Sequence, residues 1–183
     1  MSITRSKVRE MQQRAAAALD AAGIRLTDAE RANIEVAELG LGHVEVEGCQ
    51  LVTYENNDRY CAKELILLPR QTCPEHRHPP VGDDPGKRET FRCRTGVVYL
   101  YVEGATTSPL QAHLPEGSES YYTAFHEIEL RPGDQYTIPS NTLHWFQAGD
   151  DGAIVSEFSS PSRDEADVFT DPRIERMPQV IDG

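Results

Sequence analysis

The sequence has little of what cross-links or anchors a chain. Its four cysteines, Cys49, Cys61, Cys73 and Cys93, are widely spaced and form no Cys-x-x-Cys pair. Neither a zinc knuckle nor a redox motif is therefore indicated, and we expect buried, reduced thiols, although the even number leaves disulfides open. No apolar run reaches the ~20 residues needed to cross a bilayer, and the polar N-terminus lacks a signal core. These absences predict a cytoplasmic protein.

Positive charge is also scarce in this chain. Among its 183 residues, Lys and Arg number 18 against 30 Asp and Glu, which gives a formal net charge of −12. A field of that sign repels phosphate backbones and anionic lipids, so we expect no nucleic-acid partner and no membrane partner. A strongly anionic substrate is disfavoured for the same reason, whereas a neutral polar ligand is easier to accommodate.

The first forty residues favour two helices. From about Ser6 to Ala22, apolar side chains recur on one helical face, at Val8, Met11, Ala15 and Leu19. Thr27 and Glu30 form a capping-box pattern that predicts a second helix from about Asp28 to Leu39. We interpret residues 1–40 as a helical appendage that covers the remainder of a single domain, residues 1–183. A dimer surface is the alternative.

Strand-like runs dominate from Gly42 onward, separated by Gly, Pro, Asn and Asp. Many short antiparallel strands without intervening helices indicate a sandwich or closed barrel. Gly149 to Gly152 has the composition of a hairpin turn. Residues 161–183 are polar and irregular, and we expect this tail to wrap the outside of the barrel. The predicted strands are His43–Val46, Leu51–Tyr54, Cys61–Leu68, Thr90–Cys93, Val97–Val102, Glu127–Leu130, Gln135–Ile138, His144–Ala148 and Ile154–Phe158.

Three histidines and a glutamate are spaced like metal ligands. His76 and His78 lie two residues apart, so on a strand both imidazoles point to the same face. Glu89 follows beyond a loop rich in Pro, Gly and Asp, and a hairpin through that loop could return it to the two histidines. His144 begins a later predicted strand. This ligand set suits one divalent ion of Mn, Fe, Co, Ni or Zn.

Both parts of this pattern resemble the cupin superfamily. The first cupin motif matches His76, His78, Glu89 and Gly96, and the second matches Gly133, Pro139 and His144. The resemblance implies a mainly β fold, a cupin barrel (double-stranded β-helix, or jelly roll) with N-terminal α-helices, and a divalent metal ion bound by the three histidines and Glu89. Three departures stand out, namely a long gap before Glu89, Asn141 in place of Gly, and Ala148 in place of Asn. Asn tolerates the left-handed turn that Gly would adopt.

Within the cupins, the chain is similar to the D-lyxose isomerase family. The similarity covers about Leu51 to Pro178 and rests on the phrases His76–His78, Gly86–Phe91, Arg131–Gln135, Thr142–Phe146, Ser156–Ser159 and Asp171–Arg173. It implies an enzyme that converts D-lyxose to D-xylulose, and also D-mannose to D-fructose, through an enediol. It further implies a metal ion, most often manganese. Because cupins tend to dimerise, we expect a homodimer.

Isomerisation requires a base that moves a proton between C2 and C1 of the sugar. Glu157 is the first candidate if its side of the strand faces the barrel interior, and a solvent-facing strand residue is the alternative. Lys87 shares a strand face with Glu89 and could donate to a substrate oxygen or shuttle a proton, unless it is a loop lysine at the barrel mouth. Tyr99 and Tyr101 are further candidates for sugar binding, with core packing as the alternative. A cupin dioxygenase and a non-catalytic sugar-binding cupin are the rival functions.

Overall fold

A computed structural model describes residues 2–182, so the two end residues of the predicted 1–183 domain lie outside it. Helix α1 spans Arg5–Ala21 and helix α2 spans Asp28–Ala32. The strands are β1 Ile3–Thr4, β2 Glu35–Ala37, β3 Cys49–Asn56, β4 Cys61–Leu67, β5 Thr72–Arg77, β6 Glu89–Val102, β7 His126–Leu130, β8 Gln135–Ile138, β9 His144–Ser159, β10 Val168–Phe169 and β11 Val180–Ile181.

The longest strand, β9, organises a curled antiparallel sheet. Its first half pairs with β5 on one side and its second half pairs with β4, while β6 runs along its other edge throughout. Strand β6 in turn pairs with β7 near its end and with β8 near its start. The strands follow the order β10-β5-β9-β4-β3-β2. Strand β6 pairs with the edge of β9 that β4 and β5 leave free, and it carries β7 and β8. The sheet thus curls around one interior.

Apolar residues fill the closed part of this interior. Leu51, Leu65, Phe91, Phe146 and Val155 belong to one buried cluster that joins strands β3, β4, β6 and β9. Alternate residues of these strands face inward because successive side chains of a strand point to opposite sides. The apolar packing leaves one end of the barrel to polar side chains, and that end carries the candidate site.

Helix α1 confirms the predicted first helix. Met11, Ala15 and Leu19 are its buried residues, and the last two pack with Ile66 and Ile154 on the outer face of the sheet. No helix of the described chain is long and apolar enough to cross a membrane. All four cysteines are free and buried, as the sequence predicted.

The predicted second helix is wrong in its length. The Thr27–Glu30 capping box is present, but α2 ends at Ala32 rather than Leu39. The next residues form β2, which pairs antiparallel with β3. Ile34 is buried, and the β-branched Ile34 and Val36 lose side-chain freedom in a helix, so strand pairing prevails over helix extension.

Four of the predicted strands merge into two long ones. Thr90–Cys93 and Val97–Val102 both lie in β6, and His144–Ala148 and Ile154–Phe158 both lie in β9. The predicted Gly149–Gly152 hairpin is therefore wrong. This segment lies inside β9, where the register against β6 shifts between Gly96 and Val98. Gly96 has a φ of 71°, and a Cβ there would meet the Gly152 carbonyl oxygen at 2.0 Å. A turn composition therefore produces a bulged bend within a continuous strand. His43–Val46, predicted as a strand, forms turns instead.

Candidate active site

The predicted metal ligands lie on or next to three strands, namely β9 and its two pairing partners β5 and β6. His76 lies in β5, His78 directly follows that strand, His144 begins β9 and Glu89 begins β6. His76 and His144 are paired residues of neighbouring strands. Buried donor atoms of the three imidazoles all lie within 4.8 Å of one another. The structure thus brings together four side chains that are far apart in the sequence.

Glu89 completes this group from the opposite side of the barrel mouth. Its Oε1 lies 3.2 Å from His78 Nε2 and 3.0 Å from His144 Nε2. All three atoms are buried, and within residues 2–182 none of them has a hydrogen-bond partner. Buried polar atoms almost always have partners, so three such atoms that face one another fit a shared cation. Imidazole nitrogens and a carboxylate oxygen are ligands typical of divalent transition metals.

Each imidazole is oriented through its other ring nitrogen. Nδ1 of His76 lies 2.8 Å from the Pro74 carbonyl oxygen, and Nδ1 of His144 lies 2.9 Å from the Thr142 carbonyl oxygen. Nδ1 of His78 contacts a carboxylate oxygen of Asp167. When Nδ1 donates its proton to these oxygens, Nε2 keeps a lone pair that points to the common centre, which is the usual arrangement around metal-bound histidines.

Burial and neighbouring charges set the ionisation of these ligands. Burial, together with His144 and His78, holds the pKa of His76 well below its usual value, so this imidazole is neutral. Burial also opposes protonation of His78, yet Glu89 and Asp167 raise the pKa of His78 to about 9. The two carboxylates that stabilise a proton on His78 would equally stabilise a cation at its Nε2.

Lys87 and Glu157 lie beside the histidines. Lys87 Nζ is 2.7 Å from Glu89 Oε2 and 2.6 Å from Glu157 Oε1, and all three side chains are at most 6% exposed. Ser159 Oγ donates to Glu157 Oε1 over 3.1 Å. Glu157 therefore has the interior position rather than the solvent-facing one. Lys87 is also buried, but it lies in the loop before β6 and not on the strand face that the sequence predicted. The strand carrying Glu157 turns this carboxylate inward, while the next residue, Phe158, is exposed.

Lys87 and Glu89 are charged at neutral pH. Burial would raise the pKa of Glu89, but Lys87 and His78 hold that pKa well below its usual value. Burial would lower the pKa of Lys87, but Glu157 and Glu89 keep it well above its usual value. The Lys87 ammonium group thus lies between the carboxyl groups of Glu89 and Glu157, both of which line the cavity, and Glu89 also contacts the histidines.

A cavity that is partly open to solvent adjoins these groups. Part of its lining is apolar and includes Leu51, Leu65, Phe91 and Phe146. The polar side chains of the lining come from the candidate site, from β4 and from the chain around residues 164–176. They include Lys63, His76, His78, Lys87, Glu89, Glu157, Asp164, Asp167 and Arg176.

Two features of the site differ from the sequence predictions, and a third agrees with them. Strands β5 and β6 do not form a hairpin with each other; both pair with β9, and the loop between them only carries Glu89 back to the histidines. Tyr101 stacks on Trp145 at 4.0 Å, away from the cavity lining, so it is a packing residue, and Tyr99 packs against the same cluster. Asn141 has a φ of 58°, which confirms the left-handed turn expected there.

The tail also differs from the prediction, because it contributes to the site rather than only wrapping the outside. Strand β10 pairs with β5, with Phe169 opposite His76, and Asp167 precedes that strand. Sequence reasoning missed Asp167, Asp164 and Arg176. Their only signal was the retention of charged residues in an irregular segment, and that pattern is typical of a solvated surface.

Asp167 provides a test of ligand orientation. We expect Asp167→Asn to weaken binding of a divalent ion by about 10- to 100-fold, because an amide supports the Nδ1 proton of His78 less well than a carboxylate. Titration with the divalent ion, monitored by calorimetry, measures the change in affinity. Asp151→Asn, an exposed aspartate in the bend of β9, is the control. Equal affinities for all three proteins would contradict the orienting role.

A curled antiparallel barrel with inward imidazoles and a carboxylate at its mouth defines the cupin class, and this confirms the predicted mainly β cupin fold. The sequence model of D-lyxose isomerase matches residues 3–183. The chain belongs to the D-lyxose isomerase family, and it is thus a sugar isomerase.

Relatives of known name agree over nearly the whole chain. A D-lyxose/D-mannose isomerase of Thermosediminibacter oceani is 63% identical over 180 residues, which cover 98% of this chain and 99% of the relative. A D-lyxose ketol-isomerase of Cohnella laeviribosi is 64% identical over 172 residues, 94% of each chain.

Solved structures show the same fold at much lower identity. The L-ribose isomerase of Acinetobacter sp. DL28 in complex with L-ribose superposes with a TM-score of 0.81 at 18% identity, covering 98% of both chains. The L-ribose isomerase of Cellulomonas parahominis without ligand gives a TM-score of 0.81 at 16% identity, covering 98% of this chain and 99% of the other.

Proposed function

We propose that this protein converts D-lyxose to D-xylulose, and also D-mannose to D-fructose, with one divalent metal ion held by His76, His78, Glu89 and His144. The names of its relatives support the two sugars. The observation that carries the proposal is the buried row in which Lys87 joins Glu89 to Glu157 beside the three imidazoles. The proposed acid–base pair would thus lie next to the proposed cation site in one cavity.

Glu157 is the base of the proposed reaction. An aldose becomes a ketose when the proton on C2 moves to C1 and a second proton moves from O2 to O1. The Glu157 carboxylate lines the cavity, where it can remove the C2 proton and return it to C1 on the same face of the enediol. Ser159 Oγ, 3.1 Å from Oε1, holds this carboxylate in position.

Lys87 supports the oxygen side of the reaction. Its ammonium group lies between Glu157 and Glu89 and has three N–H donors, so one remains for a substrate oxygen. The bound ion would stabilise the negative charge that develops on O1 and O2, and we propose manganese, with Zn, Co, Fe and Ni as the other candidates. The apolar wall around Phe91 and Phe146 limits water near the enediol.

A dioxygenase function would call for an apolar pocket, whereas this cavity has a wall of inward charged groups. The predicted homodimer and cytoplasmic location stay predictions, as does the single-domain organisation.

A sugar panel tests the proposed function. Protein loaded with Mn(II) is expected to form ketose from D-lyxose and D-mannose, measured by chromatography of the products. Fe(II)-loaded protein is expected to consume no oxygen with the same sugars. Binding of D-lyxose without ketose formation would favour a sugar-binding cupin instead, and oxygen consumption would favour a dioxygenase.

A further inference from the structure

A second group of charges, one buried and two half-buried, lines the same cavity and has no part in the steps above. Lys63 lies in β4, while Asp164 and Arg176 come from the C-terminal tail. Lys63 Nζ donates to Asp164 Oδ2 over 2.9 Å and to Ser162 Oγ over 3.0 Å. Arg176 Nη2 lies 3.1 Å from the same carboxylate. The side chain of Lys63 is 4% exposed and that of Arg176 is 16% exposed.

The position of this group follows from the strand pairing. Glu157 pairs with Phe91 of β6 on one side and with Lys63 of β4 on the other. Directly opposed side chains of paired strands lie about 5 Å apart. Since Glu89 and Lys87 lie on the β6 side, a sugar with C1 and C2 between the histidines and Glu157 extends its remaining carbons toward Lys63.

The donors and acceptors of the group match hydroxyl groups. A hydroxyl both donates and accepts, and here two cations surround one carboxylate. Arg176 places Nη1 on Glu35 at 2.7 Å and Nη2 on Asp164, and a guanidinium has five N–H donors, so others remain for a ligand. The charges of Lys63 and Arg176 are balanced by Asp164 and Glu35, as suits a neutral ligand.

Stability alone gives little reason for this network. Buried ion pairs contribute little net stability, because the loss of hydration offsets their attraction, and apolar side chains of similar volume often serve as well. Burial opposes ionisation of Asp164, but Lys63 and Ser162 lower the pKa of Asp164, so its carboxylate is ionised at neutral pH. A carboxylate held in the cavity wall can accept a hydrogen bond from a sugar hydroxyl and so distinguish that sugar from an analogue without the hydroxyl.

We propose that Lys63, Asp164 and Arg176 form a subsite that binds the distal hydroxyl groups of the sugar, on C4 and C5, and so selects the sugar. This subsite rests on the proposed isomerase function. A site built to hydrogen-bond a hydroxyl discriminates against an analogue without it, because its own buried groups then lose their partner. Removing the subsite should therefore remove the discrimination, in addition to weakening binding.

Kinetics with deoxy sugars test the subsite. In Mn(II)-loaded protein, Asp164→Asn is expected to raise KM for D-lyxose by about tenfold or more while kcat changes by less than about threefold. The wild-type preference for D-lyxose over 4-deoxy- or 5-deoxy-D-lyxose should fall by a similar factor. Arg176→Lys, which keeps the charge, is a second variant expected to act in the same direction. Glu165→Gln is the matched control, because Glu165 is exposed in the same turn as Asp164.

Two results would overturn the subsite. One is an unchanged KM in both Asp164→Asn and Arg176→Lys, and the other is an equal loss with D-lyxose and both deoxy analogues, which indicates a general structural defect. Failure of the proposed function is read from the wild type alone, as absence of ketose. Calorimetry with the alditol of D-lyxose then still tests the subsite. A loss of affinity for the alditol of about tenfold in Asp164→Asn supports the subsite, and an unchanged affinity contradicts it.

Discussion

Glu157→Gln is expected to lower kcat for D-lyxose by about 100- to 10,000-fold, the range that a positioned general base contributes. The amide has almost the same shape as the carboxylate but cannot take the C2 proton. Lys87 keeps Glu89 as a partner at 2.7 Å, so the metal centre and the sugar pocket should remain intact. Ketose formation under saturating sugar gives the magnitude.

Isotope exchange distinguishes a lost base from a distorted pocket. Wild-type protein should move deuterium from C2 of labelled D-lyxose to C1 of the ketose or to solvent, whereas Glu157→Gln should keep the label at C2 and still bind the alditol of D-lyxose with wild-type affinity. Glu55→Gln, an exposed glutamate of β3, is the matched control. Turnover and exchange at the wild-type rate in Glu157→Gln would assign the base elsewhere.

Loss of one imidazole is expected to have an equally large effect. His144→Ala removes a ligand nitrogen that lies 3.0 Å from Glu89 Oε1. The remaining ligands should hold a divalent ion too weakly to survive dialysis, and ketose formation should fall to background. His144 is 1% exposed, so the truncation also costs about 1–3 kcal/mol of unfolding free energy, which denaturant titration would reveal.

His113→Ala serves as the control for His144→Ala. His113 is exposed, and its backbone N–H and carbonyl groups form hydrogen bonds with the Gln147 side chain. This variant should keep both metal and turnover. Full activity in folded His144→Ala protein would contradict a role of this imidazole in metal binding and ketose formation.

Part of the candidate metal site could be predicted because strand periodicity is local. His76 and His78 share a face at a spacing of two, and both the approach of Glu89 and the position of His144 followed from the motif resemblance. The apolar face of α1 was equally predictable from its spacing. In each case the information lies within a short window of sequence.

The rest depended on contacts that no short window contains. The composition of Gly149–Gly152 suits a hairpin, but pairing with β6 keeps β9 continuous through this segment. The helix after Asp28 is cut short because Glu35–Ala37 pairs with β3. Asp164 and Asp167 reach the cavity only because the irregular tail returns along β5. These outcomes reflect tertiary pairing, which overrides local propensity.

The metal content of the purified wild-type protein is the sharpest test of the proposed metal dependence. Elemental analysis after dialysis should find one divalent transition-metal ion per chain, chelation should abolish conversion of D-lyxose to D-xylulose, and added Mn(II) should restore it. Ketose formation that persists at full rate in protein without any such ion would contradict the account.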